Sequence, residues 1–295
     1  MIFIRTHKEK LQRYADLEDL FAGQTAFLMG GAPSIKEQPL ELLQKRGVLT
    51  AAMNNAAIHF QPDIWISSDR PECYEPQILL DPKIMKFAPI AHADARLDGP
   101  YKGRRYGNMP NMFFYKQAAD VPWEQFLDKH TGVPWYNNTL MSAIHILYRL
   151  GIKTIILGGS DFGFKADGPQ YAHDAKLGDL QQKWNTDLYD SLVEELRILS
   201  KYFETMGITF MDCSVNSRLA QTYQKLSMEE AVVKCLTTFP ESMVDPSTLP
   251  HCSKFAPKNI KELVAQWPGY QAPAPQNARD TVVGKKPKRE LKTVI

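Results

Sequence analysis

"AFLMGGAPSIKEQPLELL" (Ala26–Leu43) is an apolar run that ends in Gly30-Gly31-Ala32-Pro33-Ser34 and gives way to an amphipathic segment. A short continuous apolar run bounded by glycine reads as a strand buried on both faces. The segment after it, "KEQPLELLQKR", reads as a helix closed by Gly47. Strand, turn and helix in that order form the unit of a parallel sheet covered by helices. The unit recurs. "VLTAAMNNA", "PDIWISSD" after Pro62 and "KIMKFAPIAH" read as further strands, and "KTIILGGSDFGF" is the cleanest buried one. In "NNTLMSAIHILYRLG", Leu140, Ala143, Ile144, Leu147 and Leu150 fall at helical spacing, and Gly151 stops the helix. A long amphipathic helix over about Thr186 to Met206, ended by Gly207, leads to a last strand at "ITFMDCS".

The expected fold is therefore α/β: a Rossmann-like doubly wound, mostly parallel sheet with helices on both faces, over residues 1–238. Residues 239–295 read as a Pro-rich extension with a basic tail and one short helical stretch at "NIKELVAQW". Between about 95 and 135 the pattern breaks into Pro, Gly and aromatics, as in "GPYKGRRYGNMPNMFFYKQ". An insert of this length is expected to be a lid or binding loop, with Arg104, Arg105 and Tyr106 either facing an anionic group or lying in a solvated loop.

The 295 residues are 44% hydrophobic and 23% charged, an ordinary globular composition, with a net charge of +2 that argues against a general polyanion binder. Residues 285–295 alone carry +4, from Lys285, Lys286, Lys288, Arg289 and Lys292 against Glu290, which leaves −2 for all that precedes them. That tail is either a solvated end or a contact for nucleic acid or an anionic membrane surface. Cys73, Cys213, Cys235 and Cys252 form no CxxC and read as reduced thiols. No apolar run reaches the roughly 18–20 residues that cross a bilayer, and "MIFIRTHKEKLQRY" is too charged for a signal peptide. The expected location is the cytoplasm.

In open parallel sheets, ligands sit beyond the carboxyl ends of the strands. Every such end here is small or polar: Gly30 to Ser34, then Asn54 and Asn55, then Ser67, Ser68 and Asp69, then Gly158-Gly159-Ser160-Asp161. The helix after the insert opens with Asn137, Asn138 and Thr139. The glycine turn either brings phosphate to a helix N-terminus or only turns the chain, since it matches neither G-x-G-x-x-G nor a Walker loop. Asn54 suits a base or ribose edge, and equally a turn. Asp69 and Asp161 suit a ribose hydroxyl or a magnesium ion, and equally a helix cap. Asn138 and Thr139 stand at an N-cap whether or not phosphate binds there. His173, in "QYAHDAK", is either an idle loop histidine or a base for an acceptor hydroxyl. His145 falls inside an apolar helical pattern and reads as core-adjacent. No H-E-x-x-H, G-x-S-x-G or Cys–His signature appears, which argues against zinc peptidases and common hydrolases.

The ordered set "GGAPSI", "MNNA", "PDIWISSD", "NNTLMSAIHILYRLGIKTIILGGSDFGF" and "YAH" resembles the Rossmann-like domain of bacterial motility-accessory glycosyltransferases and archaeal 6-hydroxymethylpterin diphosphokinase. The Campylobacter-type bacterial sialyltransferases are more distantly similar. The resemblance covers residues 24–220 or so. It implies nucleotide contacts at Gly30, Gly31, Pro33, Ser34 and Asn54, with Asp69, Asp161 and His173 in the site. It also implies that Tyr171 lies near a leaving phosphate. The chain departs from the sialyltransferase branch at Gly31, where that branch has Asn, and at Gln181 and Gln182, which precede Asn185-Thr186-Asp187 where that branch has its catalytic His.

The expectation is a nucleotide-sugar-dependent glycosyltransferase. Asn138 and Thr139 with the opening turn hold the donor phosphates, and His173 and Asp161 carry the chemistry. The donor is a nucleotide-activated small molecule, and the acceptor a glycan, a protein or a modified nucleic acid. Neither sugar nor nucleotide is named by the sequence. The alternatives are a magnesium-dependent diphosphokinase acting on a small hydroxymethyl compound, and a non-catalytic nucleotide-binding module.

Overall fold

The computed structural model describes residues 3–7, 11–15, 17–97, 103–128, 132–163, 171–172, 179–238 and 293–294. A hairpin of β1 (Phe3–His7) and β2 (Leu11–Ala15) precedes β3 (Thr25–Met29), whose five residues are all buried. Then come β4 (Leu49–Met53), β5 (Ile64–Ile66), β6 (Met85–Pro89) and β7 (Met112–Tyr115). β8 (Gln117–Ala118) and β9 (Val133–Pro134) pair only with each other. β10 (Thr154–Gly158), β11 (Thr209–Asp212), β12 (Gln224–Lys225) and β13 (Thr293–Val294) complete the set.

The sheet order is β12-β11-β10-β3-β4-β5-β6-β7-β1-β2-β13. From β12 to β7 every neighbouring pair is parallel; β1, β2 and β13 add antiparallel at one edge. The protein is thus α/β with a mostly parallel sheet. The chain winds outward from β3 through β7, then crosses back to lay β10 on the other side of β3. Winding reverses between β3 and β10, and in sheets of this kind ligands sit beyond the carboxyl ends of the strands at such a point.

Alternation along β3 sends Ala26 and Leu28 to one face and Phe27 and Met29 to the other. The first face packs under α2 (Thr139–Arg149) and α3 (Asp179–Phe203) through residues such as Ile144, Leu147, Leu196 and Phe203. The second packs against α4 (Met228–Thr237) through Ala231, Val232 and Cys235. A third cluster joins α1 (Pro76–Leu80) to Trp65, Tyr106 and Phe114. No described helix is long and apolar enough to cross a membrane.

Four expectations are corrected. "KEQPLELLQKR" is not one α-helix but two short 3₁₀ turns, Pro33–Glu37 and Leu40–Gln44, because Pro39 interrupts it and has no N–H to continue the ladder. The insert is not one loop: "MFFY" is the fully buried β7, and Tyr106 is a core residue whose ring lies 6.0 Å from Phe114 rather than facing an anion. Arg105 pairs with Asp94. "ITFMDCS" is not the last strand, since β12 follows it, and after β12 comes α4, started by a capping box of Ser227 and Glu230. Finally, α3 begins at Asp179, before the Thr186 read from spacing. The helix after "NN" is confirmed, with Asn138 as its N-cap and Gly151 at φ 90° just past its end.

Candidate functional site

A cleft of about 400 Å³ opens at the carboxyl ends of β3, β4, β5 and β10. Gly30, Gly31, Asn54, Asp69, Asn138, Thr139, Asp161 and Tyr171 all line it. Residues from four strand ends, one helix start and one loop therefore meet in a single cavity. Pro33 and Ser34 are outside the lining. His173 lies outside the described residues, as do residues 239–292, which hold Cys252, the "NIKELVAQW" stretch and the charged residues of the basic tail.

The two glycine turns are clasped back to back. Gly30 N–H donates to Gly158 O at 2.8 Å, and Ala32 N–H to Gly159 O at 2.9 Å. A Cβ on Gly30 would lie 2.3 Å from Ser160 Oγ and 2.7 Å from Gly159 O; one on Gly159, at φ 56°, would lie 2.6 Å from Gly30 O. Gly30 is thus glycine because another backbone presses against it. Gly31 differs. Its Cβ would meet nothing nearer than Ala56 N at 3.7 Å, and Gly31 O accepts from Ala172 N–H at 3.0 Å. Gly31 is the member of the pair that leaves room for a ligand.

Ser34 explains the orientation of Asp161. Its backbone N–H donates to Asp161 Oδ2 at 3.3 Å, and its hydroxyl donates to Asp161 Oδ1. Burial pushes the Asp161 carboxyl above its ordinary value, and the Ser34 hydrogen bonds pull the other way. Arg218 braces the next residue. Its Nη1 donates to Phe162 O at 2.9 Å and to Asp190 Oδ1 at 2.6 Å, while its N–H donates to Asp161 O at 3.2 Å.

Three of the lining residues hold positive φ without being glycine: Asn54 at 51°, Asn137 at 52° and Phe162 at 55°. Such backbones cost on the order of 1 kcal/mol or more each and persist where surrounding contacts dictate them. Asn54 is dictated by Trp65, whose Nε1 donates to Asn54 O at 2.7 Å. Asn137 follows Tyr136, at φ 47°, whose N–H donates to Asp120 Oδ1 at 2.7 Å and whose ring stacks on Trp123 at 4.4 Å. The insert therefore works as a brace for the turn that presents α2; of its described residues only Trp135 lines the cleft. At the start of α2, Asn138 Oδ1 accepts from Leu140 N–H at 2.7 Å.

The remaining wall is aromatic. Tyr171 accepts from Asn185 Nδ2 at 3.2 Å, and burial raises its hydroxyl while hydrogen bonds from Tyr189 and Asn185 oppose the shift. Trp184, Leu188 and Leu192 of α3 line the same side, and Trp184 is 58% exposed. The described lining holds two carboxylates, Asp69 and Asp161, and neither lysine nor arginine. The described lining offers an anion backbone N–H groups and the positive end of α2 rather than a cationic side chain. Among the described residues no three His, Cys, Asp or Glu side chains gather as a metal-binding group.

No family model, curated protein or solved structure matches the chain.

Some lining residues had no readable signal. Tyr74, Trp135, Trp184 and Tyr189 look like ordinary core or surface aromatics in the sequence. Asn137 stood beside the expected N-cap, and the pair Asn137-Asn138 is a detectable sign, since Asn tolerates the left-handed backbone found at the first of them. His145 is fully buried in α2, with its ring 5.9 Å from Phe126, as its place in the apolar pattern implied.

Proposed function

We propose that the protein is a nucleotide-sugar-dependent glycosyltransferase on a Rossmann-like doubly wound domain. The observation that carries the reading is the convergence of Gly31, Asn54, Asp69, Asn138, Asp161 and Tyr171 on one cleft where the winding of the sheet reverses. That is where doubly wound sheets hold nucleotides. The donor phosphates lie over Gly31 and the first turn of α2, held by N–H groups and the helix dipole. Asn54 and Asp69 contact the nucleoside.

An acceptor hydroxyl attacks the anomeric carbon. The bond from that carbon to the donor phosphate oxygen breaks, and its electron pair leaves with the nucleotide. Asp161, fixed by Ser34, receives the acceptor proton, with the carboxyl already raised by burial. Tyr171 donates its hydroxyl to the departing phosphate. His173, the base expected from the sequence, lies outside the described residues.

Thermal shifts with CMP, UDP, GDP and ATP, each with and without magnesium, test the proposal. Stabilisation by a pyrimidine or guanine nucleotide is expected. Stabilisation by ATP alone, and only with magnesium, would overturn it in favour of diphosphoryl transfer with Asp69 and Asp161 as carboxylate ligands. No shift with any nucleotide would favour a silent module.

A further inference from the structure

Tyr74 was marked by no motif, yet its hydroxyl lies at the junction of two lining residues. It donates to Asn54 Oδ1 at 3.1 Å, lies 3.4 Å from Asp69 Oδ2, and accepts from Asp69 N–H at 3.2 Å. The ring is buried, edge-on to Trp65 with centroids 5.0 Å apart at 86°. Trp65 in turn holds Asn54 O. One aromatic pair thus grips Asn54 at both its carbonyl and its amide oxygen, and Asp69 at its N–H, with one carboxylate oxygen 3.4 Å from the same hydroxyl.

That grip decides what the cleft is offered. With Oδ1 of Asn54 engaged, its Nδ2 is left as a donor, and no described residue accepts from it. Asp69 Oδ1 likewise accepts from no described residue. A fixed N–H donor beside a free carboxylate oxygen suits groups that accept and donate at once, which hydroxyls do. A pair of neighbouring hydroxyls satisfies both sites together. Asp69 lies on the exposed rim, where hydroxyls keep water on their remaining lone pairs; a base edge would need that water excluded. Burial also pushes the Tyr74 hydroxyl far above its ordinary value, so it stays a protonated donor at any working pH.

We propose that Tyr74 is a positioning residue whose hydroxyl sets the Asn54 amide and the Asp69 carboxylate as one reader of a ribose vicinal diol. The inference rests on the nucleotide reading of the cleft.

The test uses CMP, UMP, GMP and AMP, each paired with its 2′-deoxy form, titrated by calorimetry into the full chain and its variants. The wild type should prefer the ribo form of the nucleotide it binds by about tenfold, the worth of one good hydrogen-bonded contact. Tyr74→Phe keeps the ring and should cut that preference to about twofold or less, since one contact of this size is lost, with little change in melting temperature. Asp69→Asn should do the same. The double variant should show no further loss, because the two groups act as one unit. A purely structural Tyr74 would lower stability and leave the ribo-to-deoxy ratio untouched, which overturns the inference. Should Tyr74→Phe fail to fold, Asp69→Asn decides at its exposed position, and a retained preference there overturns the inference too. A wild type that binds ribo and deoxy forms alike refutes the diol reader and leaves the nucleotide reading standing. A wild type that binds none of the eight refutes both.

Discussion

Gly30→Ala and Gly31→Ala, one residue apart, should fail in opposite ways. At Gly30 the new methyl lies 2.3 Å from Ser160 Oγ, which can rotate, and 2.7 Å from Gly159 O, which cannot, because Ala32 N–H holds it at 2.9 Å. The ends of β3 and β10 must separate, an overpacking that costs about 2 kcal/mol. For a domain of this size that is a fall of about 4–8 °C in melting temperature. At Gly31 the methyl meets Ala56 N at 3.7 Å, an ordinary contact, so the melting temperature should move by less than about 2 °C. If the donor phosphates lie over Gly31 as proposed, the same methyl crowds them, and nucleotide affinity should drop about tenfold, or about 1.4 kcal/mol. Scanning fluorimetry of both variants, with and without the nucleotide that stabilises the wild type, reads all four numbers. Equal melting temperatures for the two variants, or full affinity in Gly31→Ala, would show that the turn is not divided between a packing glycine and a ligand glycine.

Three further outcomes can be checked on the same protein. The folded Asp161 carboxyl is raised by burial above its unfolded value, so it holds its proton more tightly when folded; that stabilisation is complete at acid pH and is lost as pH rises through the raised value. Asp161→Asn should therefore melt higher than wild type at neutral pH, with the gain shrinking on acidification, and a gain that instead grows toward acid pH contradicts the assignment. Lys86 is fully buried and donates to Asp81 O, Ile84 O and Pro110 O, so Lys86→Met leaves dry carbonyls behind. It should lower unfolding free energy by about 2–3 kcal/mol in urea titrations, and an unchanged midpoint would mean that water replaces the ammonium. Asn54→Gly relieves the positive φ while removing the amide, so the melting temperature should hold or rise as nucleotide affinity falls. Affinity equal to wild type would remove Asn54 from the site.

The parallel core was legible because strands buried on both faces leave apolar runs that no other element needs. "TAFLM", "LTAAM", "IWI" and "TIILG" are such runs, and each is a strand. "MFFY" is another, and it escaped notice because Pro and Gly crowd around it and charged residues precede it. The 3₁₀ turns after β3 show the opposite failure: Leu40 and Leu43 have helical spacing, but one proline at position 39 outweighs it. Within the site, polar strand ends were readable since a strand fixes where its carboxyl end points. The aromatic wall was not, because the partners of Tyr74 and Tyr189, Asn54 and Trp65 for the one and Phe162 for the other, lie on other elements that only the fold brings beside them. Ser34 and Asp161 were each readable as polar strand-end residues, but their pairing was not, and it changes Ser34 from a ligand contact to a brace for a carboxylate.

The clasp between the first and last halves of the site also has a consequence in time. Ser34 and Asp161 stand 127 residues apart in the chain, and β3 cannot pair with β10 until most of the sheet has been made. During synthesis β3 waits with one edge bare, offering unpaired N–H and C=O groups to any stray strand. Long-range parallel pairing of this kind is slow to form. Completion of the cleft is therefore a late event in folding, and a ligand held across it would recognise only chains that have finished.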